Sequence, residues 1–351
     1  MLPPPFQNPG EFRAAFVKGL GEMLAHRELG VFILVLANAT FDPEIHRLLQ
    51  ARLRERFAEL SGRFRSLLYD GRPLRDAPDD VLVFLKLMAV GCEGIRATEF
   101  RRAGPWEVQF NQLRSFRPPR MSHAVVRELH RPFDAQGFHF DKAFLKKEVL
   151  WEGELAGRHS RLLYNKFPFA ELHGLLVVEP AAARPQFLDP ASHHHLWRLT
   201  EDLGAAMPGV GFGYNAHGAY ASVNHQHFQM YMRDAVYGQG GGYPIEDPCW
   251  RHNGGTLPYP LPVERCDHPD RTWARLAELH GAQRNSYNLL YRPGVLYLTT
   301  RALQGSYQHA DWTGGFAWSE VAGAFTTFNA DDFAALDDTA IRAEFAKLTP
   351  A

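Results

Sequence analysis

Cysteine is scarce in this sequence, with three in 351 residues: Cys92, Cys249 and Cys266. None of the three forms a CxxC pair, and an odd, sparse set argues against a disulfide framework. The spacing also supplies no pair of thiolate ligands for a structural zinc ion. We therefore expect a reducing, cytoplasmic environment, no metal site and no cofactor.

Long apolar runs and an excess of charge of one sign are lacking as well. Lys and Arg number 38 and Asp and Glu number 39, so the formal net charge is -1. This balance predicts no nucleic-acid partner and no polybasic membrane anchor. The longest apolar run, GVFILVLANA (residues 30–39), is too short for a bilayer, which takes roughly 20 residues. We interpret it as a buried strand or another core segment, and the amino terminus lacks the pattern of a signal peptide.

The first hundred residues show the periodicity of amphipathic helices. Over residues 43–69, leucine and phenylalanine recur every three or four positions, and Asp42 before Pro43 predicts a capped first turn. Similar patterns predict helices over residues 11–27 and from about Asp79 onward. We therefore expect a mainly helical section over residues 1–104, which either caps the rest of the protein or forms an oligomer contact such as that of a homodimer.

Strand-like patterns dominate after the break at Gly104-Pro105. Strands are predicted within the segments KKEVLWEGEL, SRLLYNKFPFAELHGLLVVEP, GVGFGYNAHGAYASVNHQHFQMYMRD and SYNLLYRPGVLYLTTR. Helices are predicted in HHHLWRLTEDLGAAM and, as one amphipathic helix near the carboxyl terminus, in DDFAALDDTAIRAEFAKL. The sequence therefore predicts a mixed α and β domain over residues 105–351.

Two hairpin passages in this domain echo each other, LLYNKFPFAELHGLLVVEP and NSYNLLYRPGVLYLTTR. Both place Tyr-Asn near a turn that leads into an apolar strand, which suggests two related halves. The halves would cover about residues 105–234 and 271–351. A loop rich in glycine, proline and aromatic residues, residues 235–270, would separate them.

Two histidines and a glutamine alternate in the segment ASVNHQHFQMYMRD. In a strand, His225, His227 and Gln229 would point to one face of the sheet. One interpretation is a zinc site, since two histidines two positions apart can chelate zinc with a third ligand; glutamine, however, is a poor zinc ligand. The other is catalysis, because a neutral imidazole can attack phosphorus if its second nitrogen donates a hydrogen bond that fixes the tautomer. The glutamine amide can then donate to a phosphoryl oxygen.

The surrounding residues favour catalysis over a chance pair. The chain has 17 histidines, so a chance His-x-His is not rare, and we interpret His193–His195 in a helical pattern as structural or surface residues. Before His225, however, Gly213, Gly218 and several Ala and Ser residues form a small-residue turn. Such a turn lets backbone and hydroxyl groups approach a phosphate closely.

NHQHFQ after YNAHGAYAS resembles the active-site strand of the histidine triad superfamily, in the branch where glutamine replaces the third histidine. That branch holds uridylyltransferases, dinucleoside polyphosphate phosphorylases and GDP-hexose phosphorylases. The chain looks most like the GDP-L-galactose/GDP-D-glucose phosphorylases, also in YNKFPFAELHGLLVVEP, RPFDAQGFHFDKAFLKKEVLWEGEL and WSEVAGAFTTFNADDF. The resemblance covers residues 115–351 in patches and implies an α+β, HIT-like antiparallel sheet with flanking helices and two related half-domains.

The resemblance also implies roles for individual residues. His227 matches the nucleophile, His225 the histidine that orients the strand and site, and Gln229 the residue that stabilises the nucleotidylated histidine. His173 matches a recurrent histidine that is alternatively a packed core residue. Residues expected at the nucleotide and its phosphates are Ser222 and Asn215 for the phosphate, Asn165 near the ribose, and the cations Lys166, Arg117 and Arg120, the last of these alternatively part of a solvated proline segment.

The implied reaction is nucleotidyl transfer by double displacement through a nucleotidyl-histidine. Its expected form is phosphorolysis of a GDP-hexose, in which the nucleotide-sugar and inorganic phosphate give hexose-1-phosphate and GDP. Glutamine cannot exchange protons as imidazole does, which favours transfer to an anionic acceptor over hydrolysis. Alternatives are an enzyme acting on a dinucleoside polyphosphate or a specialised sugar phosphate, and a non-catalytic nucleotide-binding module whose helical section docks a partner.

Overall fold

The computed structural model describes residues 2–117, 124–233 and 241–350 of the chain. Its α-helices are α1 (Pro9–Met23), α2 (Leu29–Phe41), α3 (Pro43–Tyr69), α4 (Pro78–Val90), α5 (Gln112–Ser115), α6 (Pro190–Ala206), α7 (Pro269–Ala282), α8 (Trp318–Val321), α9 (Ala330–Ala335) and α10 (Asp338–Lys347). Its strands are β1 (Glu99–Ala103), β2 (Trp106–Phe110), β3 (Val149–Leu155), β4 (Arg158–Tyr164), β5 (Gly174–Val178), β6 (Val210–Asn215), β7 (Phe228–Met232), β8 (Val263–Cys266), β9 (Ser286–Arg292), β10 (Val295–Arg301) and β11 (Ala324–Thr327).

Local sequence signals locate the amino-terminal helices. Helix α3 begins at Pro43 and ends at Tyr69, as its periodicity predicts, and Asp42 Oδ1 accepts hydrogen bonds from the amides of Glu44 and Ile45 at 2.9 and 3.2 Å. Helix α4 begins at Pro78, one residue before the predicted position. The Asp42 side chain satisfies amides that α3 leaves unpaired. In α4 the proline removes one such amide and fixes a helical φ.

The apolar run at residues 30–39 forms part of helix α2, so its interpretation as a strand is wrong. Every residue from Val31 to Phe41 is buried, because α1, α3, α4 and α5 all contact this helix. A helix that is covered on all sides is hydrophobic around its whole circumference, so it shows no 3.6-residue alternation. A short apolar run of this kind does not distinguish a buried helix from a buried strand.

The strands form two sheets. The larger sheet has eight strands in the order β3-β4-β5-β7-β6-β9-β10-β8, and its neighbouring strands are antiparallel. The smaller sheet has the order β1-β2-β11, with β11 parallel to β2. Helix α6 packs on β6 and β9, and α7 packs on α6 and β8. The α+β class with an antiparallel sheet and flanking helices is confirmed; the relation between two halves stays a prediction.

The helical section packs on the larger sheet. Helix α1 contacts β3, and the Tyr164 hydroxyl at the end of β4 donates to the Phe16 carbonyl at 2.8 Å. A single cluster of buried apolar residues runs from α1–α4 into the strands. The helices therefore cover the sheet, while the division at residues 104 and 105 stays a prediction; Gly104 and Pro105 themselves join β1 to β2.

Two further predictions of element boundaries are wrong. Strand β7 begins at Phe228, so His225 and His227 lie in the loop before it and only Gln229 belongs to the strand. The carboxyl-terminal pattern forms two helices, α9 and α10, because Asp337 accepts a hydrogen bond from the Ala340 amide at 2.8 Å and starts a new helix. The predicted loop over residues 235–270 contains strand β8, and its residues 235–240 lie outside the described part of the chain. Within the described ranges, no helix is both long and apolar enough to cross a membrane.

Candidate active site

The loop that carries the histidines is fixed by a side chain from elsewhere in the chain. Gln186 is buried, and its Oε1 accepts from the His227 amide at 2.9 Å. Its Nε2 donates to the His227 carbonyl at 3.2 Å and to the Asn215 carbonyl at 2.9 Å. These bonds replace the strand pairing that His227 lacks, since a buried backbone group without a partner is costly. They also fix His227 against the end of β6.

The imidazole of His227 is held in one tautomer. Its Nδ1 lies 2.8 Å from the His225 carbonyl oxygen, and because a carbonyl only accepts, Nδ1 carries the proton. Nε2 therefore presents its lone pair, and it has no hydrogen-bond partner among the described residues. Burial lowers the pKa of His227 to about 4, with the hydrogen bond to His225 acting in the opposite direction. The ring is neutral at neutral pH, which is the form that acts as a nucleophile.

His225 is anchored to the segment that carries Phe140. Its Nδ1 accepts a hydrogen bond from the Phe140 amide at 3.1 Å. The Phe140 ring packs against both imidazoles, with centroid distances of 5.9 Å to His225 and 4.9 Å to His227. Burial, followed by the nearby His227, lowers the pKa of His225 to about 4. The two histidines thus lie close together, as predicted. The conformation of the loop places them there, and not the alternation of side chains along a strand.

Gln229 is held so that its amide nitrogen remains available. Its Oε1 accepts from the Trp318 indole at 2.9 Å and lies 3.1 Å from His173 Nε2. Both partners act as donors to the oxygen, so the Nε2 amide group is left to donate, and it has no partner within residues 2–117, 124–233 and 241–350. This arrangement supplies a fixed N–H donor, as stabilisation of a developing charge requires.

His173 is fully buried and belongs to the same cluster. Its Nδ1 accepts from the Phe169 amide at 3.4 Å, which leaves Nε2 as the donor to Gln229. Burial lowers the pKa of His173 to about 3, and the charges of Arg114 and His227 lower it further. His173 is therefore a neutral, packed histidine that also positions the Gln229 side chain.

Asn215 lies at the end of β6, next to the loop. Its Oδ1 accepts from the Asn288 side chain and from the Trp318 amide, both at 2.8 Å. The Trp318 indole can reach Gln229 because Gly213, directly opposite on β6, has no side chain. A Cβ at Gly213 would lie 2.1 Å from the indole, so this glycine allows a close approach within a strand and does not form the predicted turn.

The other residues proposed from the sequence lie at varying positions around this cluster. The Asn165 backbone amide donates to the His173 carbonyl at 3.1 Å, which joins this residue to the cluster. The Lys166 ammonium pairs with Asp80 of α4 at 2.6 Å, and the Arg117 guanidinium lies over the Phe167 ring at 5.2 Å. Ser222 is exposed in the turn before the loop. The prediction for Arg120 falls outside the described residues.

Three residues with contacts in or beside this cluster were not identified from the sequence: Gln186, Trp318 and Arg114. No local pattern marks Gln186, and Trp318 lies in the segment WSEVAGAFTTFNADDF without any signal for a role. Arg114 is close in sequence to the predicted Arg117, and its Nη1 donates to the Phe167 carbonyl at 2.6 Å. His193 and His195, interpreted as structural or surface residues, are buried in α6.

Among the described residues, no group of three or more His, Cys, Asp or Glu side chains is arranged to hold a metal ion.

Comparisons with known proteins match part of the chain. Residues 106–231 match the family model "GDPGP1-like, N-terminal domain", so the predicted resemblance is confirmed there. The curated relatives include "GDP-D-glucose phosphorylase 1" of Danio rerio, 34% identical over 108 residues, and of Macaca fascicularis, 31% identical over 119 residues. Each match covers 30% of this chain and spans 30% and 29% of the respective relative.

The solved structures that match include yeast Ap4A phosphorylase Apa2 in complex with Ap4A. The match has a TM-score of 0.49 and 15% sequence identity, and it covers 79% of this chain and 100% of that chain. The same enzyme in complex with AMP matches with a TM-score of 0.48 and 14% identity, over 78% of this chain and 98% of that chain.

Proposed function

We propose that this protein is a nucleotidyltransferase that phosphorolyses a nucleoside-diphosphate hexose, with GDP-D-glucose as the first substrate to test. The observation that carries the proposal is the state of His227, whose Nδ1 proton is held by the His225 carbonyl while Nε2 stays open. His225, His227 and Gln229 all lie within the segment that matches the GDPGP1-like domain. The relatives' name supplies the candidate sugar nucleotide.

In the first half-reaction, His227 Nε2 attacks the α-phosphorus of the sugar nucleotide. A phosphorus–nitrogen bond forms, the bond from the α-phosphorus to the bridging oxygen breaks, and hexose-1-phosphate leaves with that electron pair. The ring becomes cationic as its lone pair is used, and the His225 carbonyl at Nδ1 stabilises that charge. The product on the protein is a nucleotidyl-histidine.

Gln229 and Asn215 are proposed to bind the oxygens of the attacked phosphorus. The Oε1 of Gln229 is occupied by Trp318 and His173, and the Oδ1 of Asn215 by Asn288 and the Trp318 amide. Each side chain is therefore left with its NH₂ group as the free donor. Fixed donors of this kind stabilise charge in the transition state without reorganising.

In the second half-reaction, inorganic phosphate attacks the α-phosphorus of the intermediate. The phosphorus–nitrogen bond breaks, its electrons return to Nε2, and GDP is released. Phosphate is already an anion, so this step needs no general base, whereas water does; Gln229 cannot accept a proton. The site therefore favours phosphorolysis over hydrolysis.

The remaining roles in the proposal concern the rest of the substrate. Ser222 is assigned to the phosphate, Asn165 to the ribose, and Lys166 and Arg117 to the charge of the phosphates. The three cysteines are free thiols, which suits the reducing cytoplasm where we place the reaction.

The test is a steady-state assay with GDP-D-glucose, with and without inorganic phosphate. We expect phosphate-dependent release of GDP and glucose-1-phosphate, and a rate lower by about 10³-fold or more in His227→Ala, since the nucleophile is removed. His194→Ala is the matched control, because His194 is a more exposed histidine on α6. Turnover retained in His227→Ala would contradict the mechanism.

The same assay separates the alternatives. Turnover of diadenosine tetraphosphate, with GDP-D-glucose left intact, would identify a dinucleoside polyphosphate phosphorylase. Nucleotide binding without turnover of any of these substrates would identify a non-catalytic binding module.

A further inference from the structure

Arg114 is held directly beside the segment that joins Asn165 to His173. It lies in the short helix α5, where Asn111 Oδ1 accepts from the Arg114 amide at 2.8 Å. Its guanidinium lies over the Phe169 ring at 4.9 Å and donates through Nη1 to the Phe167 carbonyl at 2.6 Å. These contacts fix the cation in one place through two residues of the site segment.

The Arg114 guanidinium makes no direct ion pair with a carboxylate in the described part of the chain. Its Nε is buried without a hydrogen-bond partner, and Nη2 likewise has no partner among the described residues. Three other arginines with little exposure each have a carboxylate partner: Arg161 has Glu152 at 2.9 Å, Arg233 has Glu107 at 2.7 Å and Arg292 has Glu246 at 2.9 Å. Arg301 has no such partner among the described residues, but its guanidinium donates to Asn288, the Phe316 carbonyl and the Tyr307 hydroxyl. Arg114 is partly buried, and with one backbone acceptor and no carboxylate its guanidinium keeps donors that an anion from outside the chain can use.

Glu320 acts on Arg114 through its charge but makes no direct ion pair with it. Glu320 raises the pKa of Arg114 through its charge, while burial, the larger effect, lowers it. The Glu320 carboxylate instead accepts from the Ala317 amide and from the Ser319 hydroxyl, both at 3.0 Å. Burial also raises the pKa of Glu320. The guanidinium therefore remains available to an anionic ligand.

Arg114 is linked to Gln229 through two rings, those of Phe169 and His173. The Phe169 ring that it covers meets the His173 ring edge-on, with 4.4 Å between centroids. His173 in turn holds Gln229. The cation is thus separated by one aromatic ring from the residue that positions the proposed donor to the α-phosphate.

We propose that Arg114 binds the phosphate group next to the one that is attacked. In the proposed reaction this is the β-phosphate that leaves as hexose-1-phosphate, and then the inorganic phosphate that enters. Both groups are phosphate anions that lie in line with the same bond to the α-phosphorus, so one cation serves both half-reactions. Arginine suits this role because its planar fork binds two phosphate oxygens. The inference rests on the proposed function for the order of events, but the binding itself is testable alone.

The experiment compares Arg114→Gln and Arg114→Lys with wild-type protein in two measurements. Equilibrium titration gives the affinities for GDP and GMP, which differ only in the β-phosphate. We expect Arg114→Gln to weaken GDP binding by about tenfold or more, as loss of a charge-assisted contact implies, and to leave GMP binding unchanged. Phosphorolysis assays give the KM for inorganic phosphate, which we expect to rise by a similar factor. Arg63→Gln, which removes an arginine over Phe64 in the helical section, is the matched control and leaves both values unchanged.

The outcomes separate this inference from the proposed function. Unchanged GDP affinity and phosphate KM in Arg114→Gln, with normal turnover, overturn the role of Arg114 and leave the proposed function intact. The opposite result is also possible: Arg114→Gln loses the preference for GDP over GMP, while the wild-type protein does not turn over GDP-D-glucose. That result supports the role of Arg114 and contradicts the proposed function. If Arg114→Gln does not fold, Arg114→Lys decides: it keeps the charge but loses the fork, so GDP affinity falls by an intermediate factor, and wild-type affinity overturns the role.

Discussion

At the scale of single residues, the proposed chemistry depends on the protonation state of one imidazole. The Nδ1–H group of His227 donates a hydrogen bond to the His225 carbonyl, and burial keeps Nε2 unprotonated well below neutral pH. Gln229, two positions later, is also held in one orientation. Its Oε1 accepts from Trp318 and His173, and its Nε2 group is left to donate. A nucleophile and a donor are thereby fixed before the substrate binds.

The pH dependence of nucleotidyl transfer to the protein follows from the pKa of His227. An imidazole must be neutral to attack, and an ordinary histidine loses that form below about pH 6.5. Because burial lowers the pKa of His227 to about 4, we expect the single-turnover rate of adduct formation to stay level from pH 8 to about 5 and to fall only as the pH approaches 4. Rapid-quench measurements across this range test it, and a midpoint near 6.5 would show that the ring is not held as described.

Replacing Gln229 by glutamate tests its role as a donor. The carboxylate of Gln229→Glu can still accept from Trp318 and His173, but it has no N–H and it repels the phosphate. We expect kcat to fall by about 10²-fold or more, as for the loss of an oxyanion donor. Trp318→Phe removes only one of the two bonds to Oε1 and should lower kcat by less, about tenfold. Wild-type kcat in Gln229→Glu, with an unchanged melting temperature, would exclude the donor role.

At the scale of elements, the sequence predicts those helices and strands whose limits are set by residues close by in the chain. The periodicity and the Asp42 cap predict α3 to the residue, since the repeat runs along the helix itself and the cap lies at its first turn. The apolar run of α2 carries no such signal, because its environment comes from four other helices. The start of β7 was mispredicted because the backbone of His227 is satisfied by Gln186, 41 residues away.

The residues of the candidate site also fall into two groups: those that a local sequence pattern reveals and those that only the fold brings together. His225, His227 and Gln229 are visible from the sequence because they are three alternating positions beside a small-residue turn. Trp318 is not visible, because it reaches Gln229 across 89 residues of sequence and only through the strand pairing that puts Gly213 opposite. Arg114 is hidden for a similar reason, since the fold of the segment from Phe167 to His173 decides which arginine meets the site.

Helix α2 contributes to the site through one buried side chain. Asn38 donates to the Asn165 carbonyl at 2.9 Å, from a helix outside the matched domain. We expect Asn38→Leu to lower the free energy of unfolding by about 1–3 kcal/mol, because it leaves that carbonyl without its partner, and to raise the KM for the sugar nucleotide. Chemical denaturation and steady-state kinetics measure the two effects.

Thr40→Val is the control for this prediction. It is a similar change in volume on the same buried helix, and the Thr40 hydroxyl bonds only within that helix, to the Leu36 and Ala37 carbonyls. Its KM should match the wild type. Equal KM values for both variants would show that α2 supports the fold without positioning Asn165.

At the scale of the whole molecule, buried neutral histidines link stability to pH. Burial lowers the pKa of several histidines to about 3 or 4, namely His173, His193, His195, His225, His227 and His280. Unfolding exposes them and returns each pKa to about 6.5, so the unfolded state binds more protons in between. Stability is therefore fully present above pH 6.5 and is lost as the pH falls toward 4.

We expect the free energy of unfolding to fall by several kcal/mol between pH 7 and pH 4.5, in line with the linkage of proton binding to folding. Urea denaturation at a series of pH values measures it directly. Salt should change this slope little, because desolvation of the rings causes it and not pairing with surface charges. A free energy of unfolding that stays constant down to pH 4.5 would mean that these rings are not neutral in the folded protein.

The helical section, the sheet and the site form one packed body at this scale, since one apolar cluster extends from α1–α4 into the sheet that carries Gln229.

The most direct test of the central claim is to trap the intermediate. The full chain is mixed with GDP-D-glucose without phosphate and analysed by intact-mass spectrometry and peptide mapping. The account predicts an added GMP on His227 that disappears as GDP when phosphate is supplied. Phosphorolysis without any adduct, or an adduct on a residue other than His227, would contradict it.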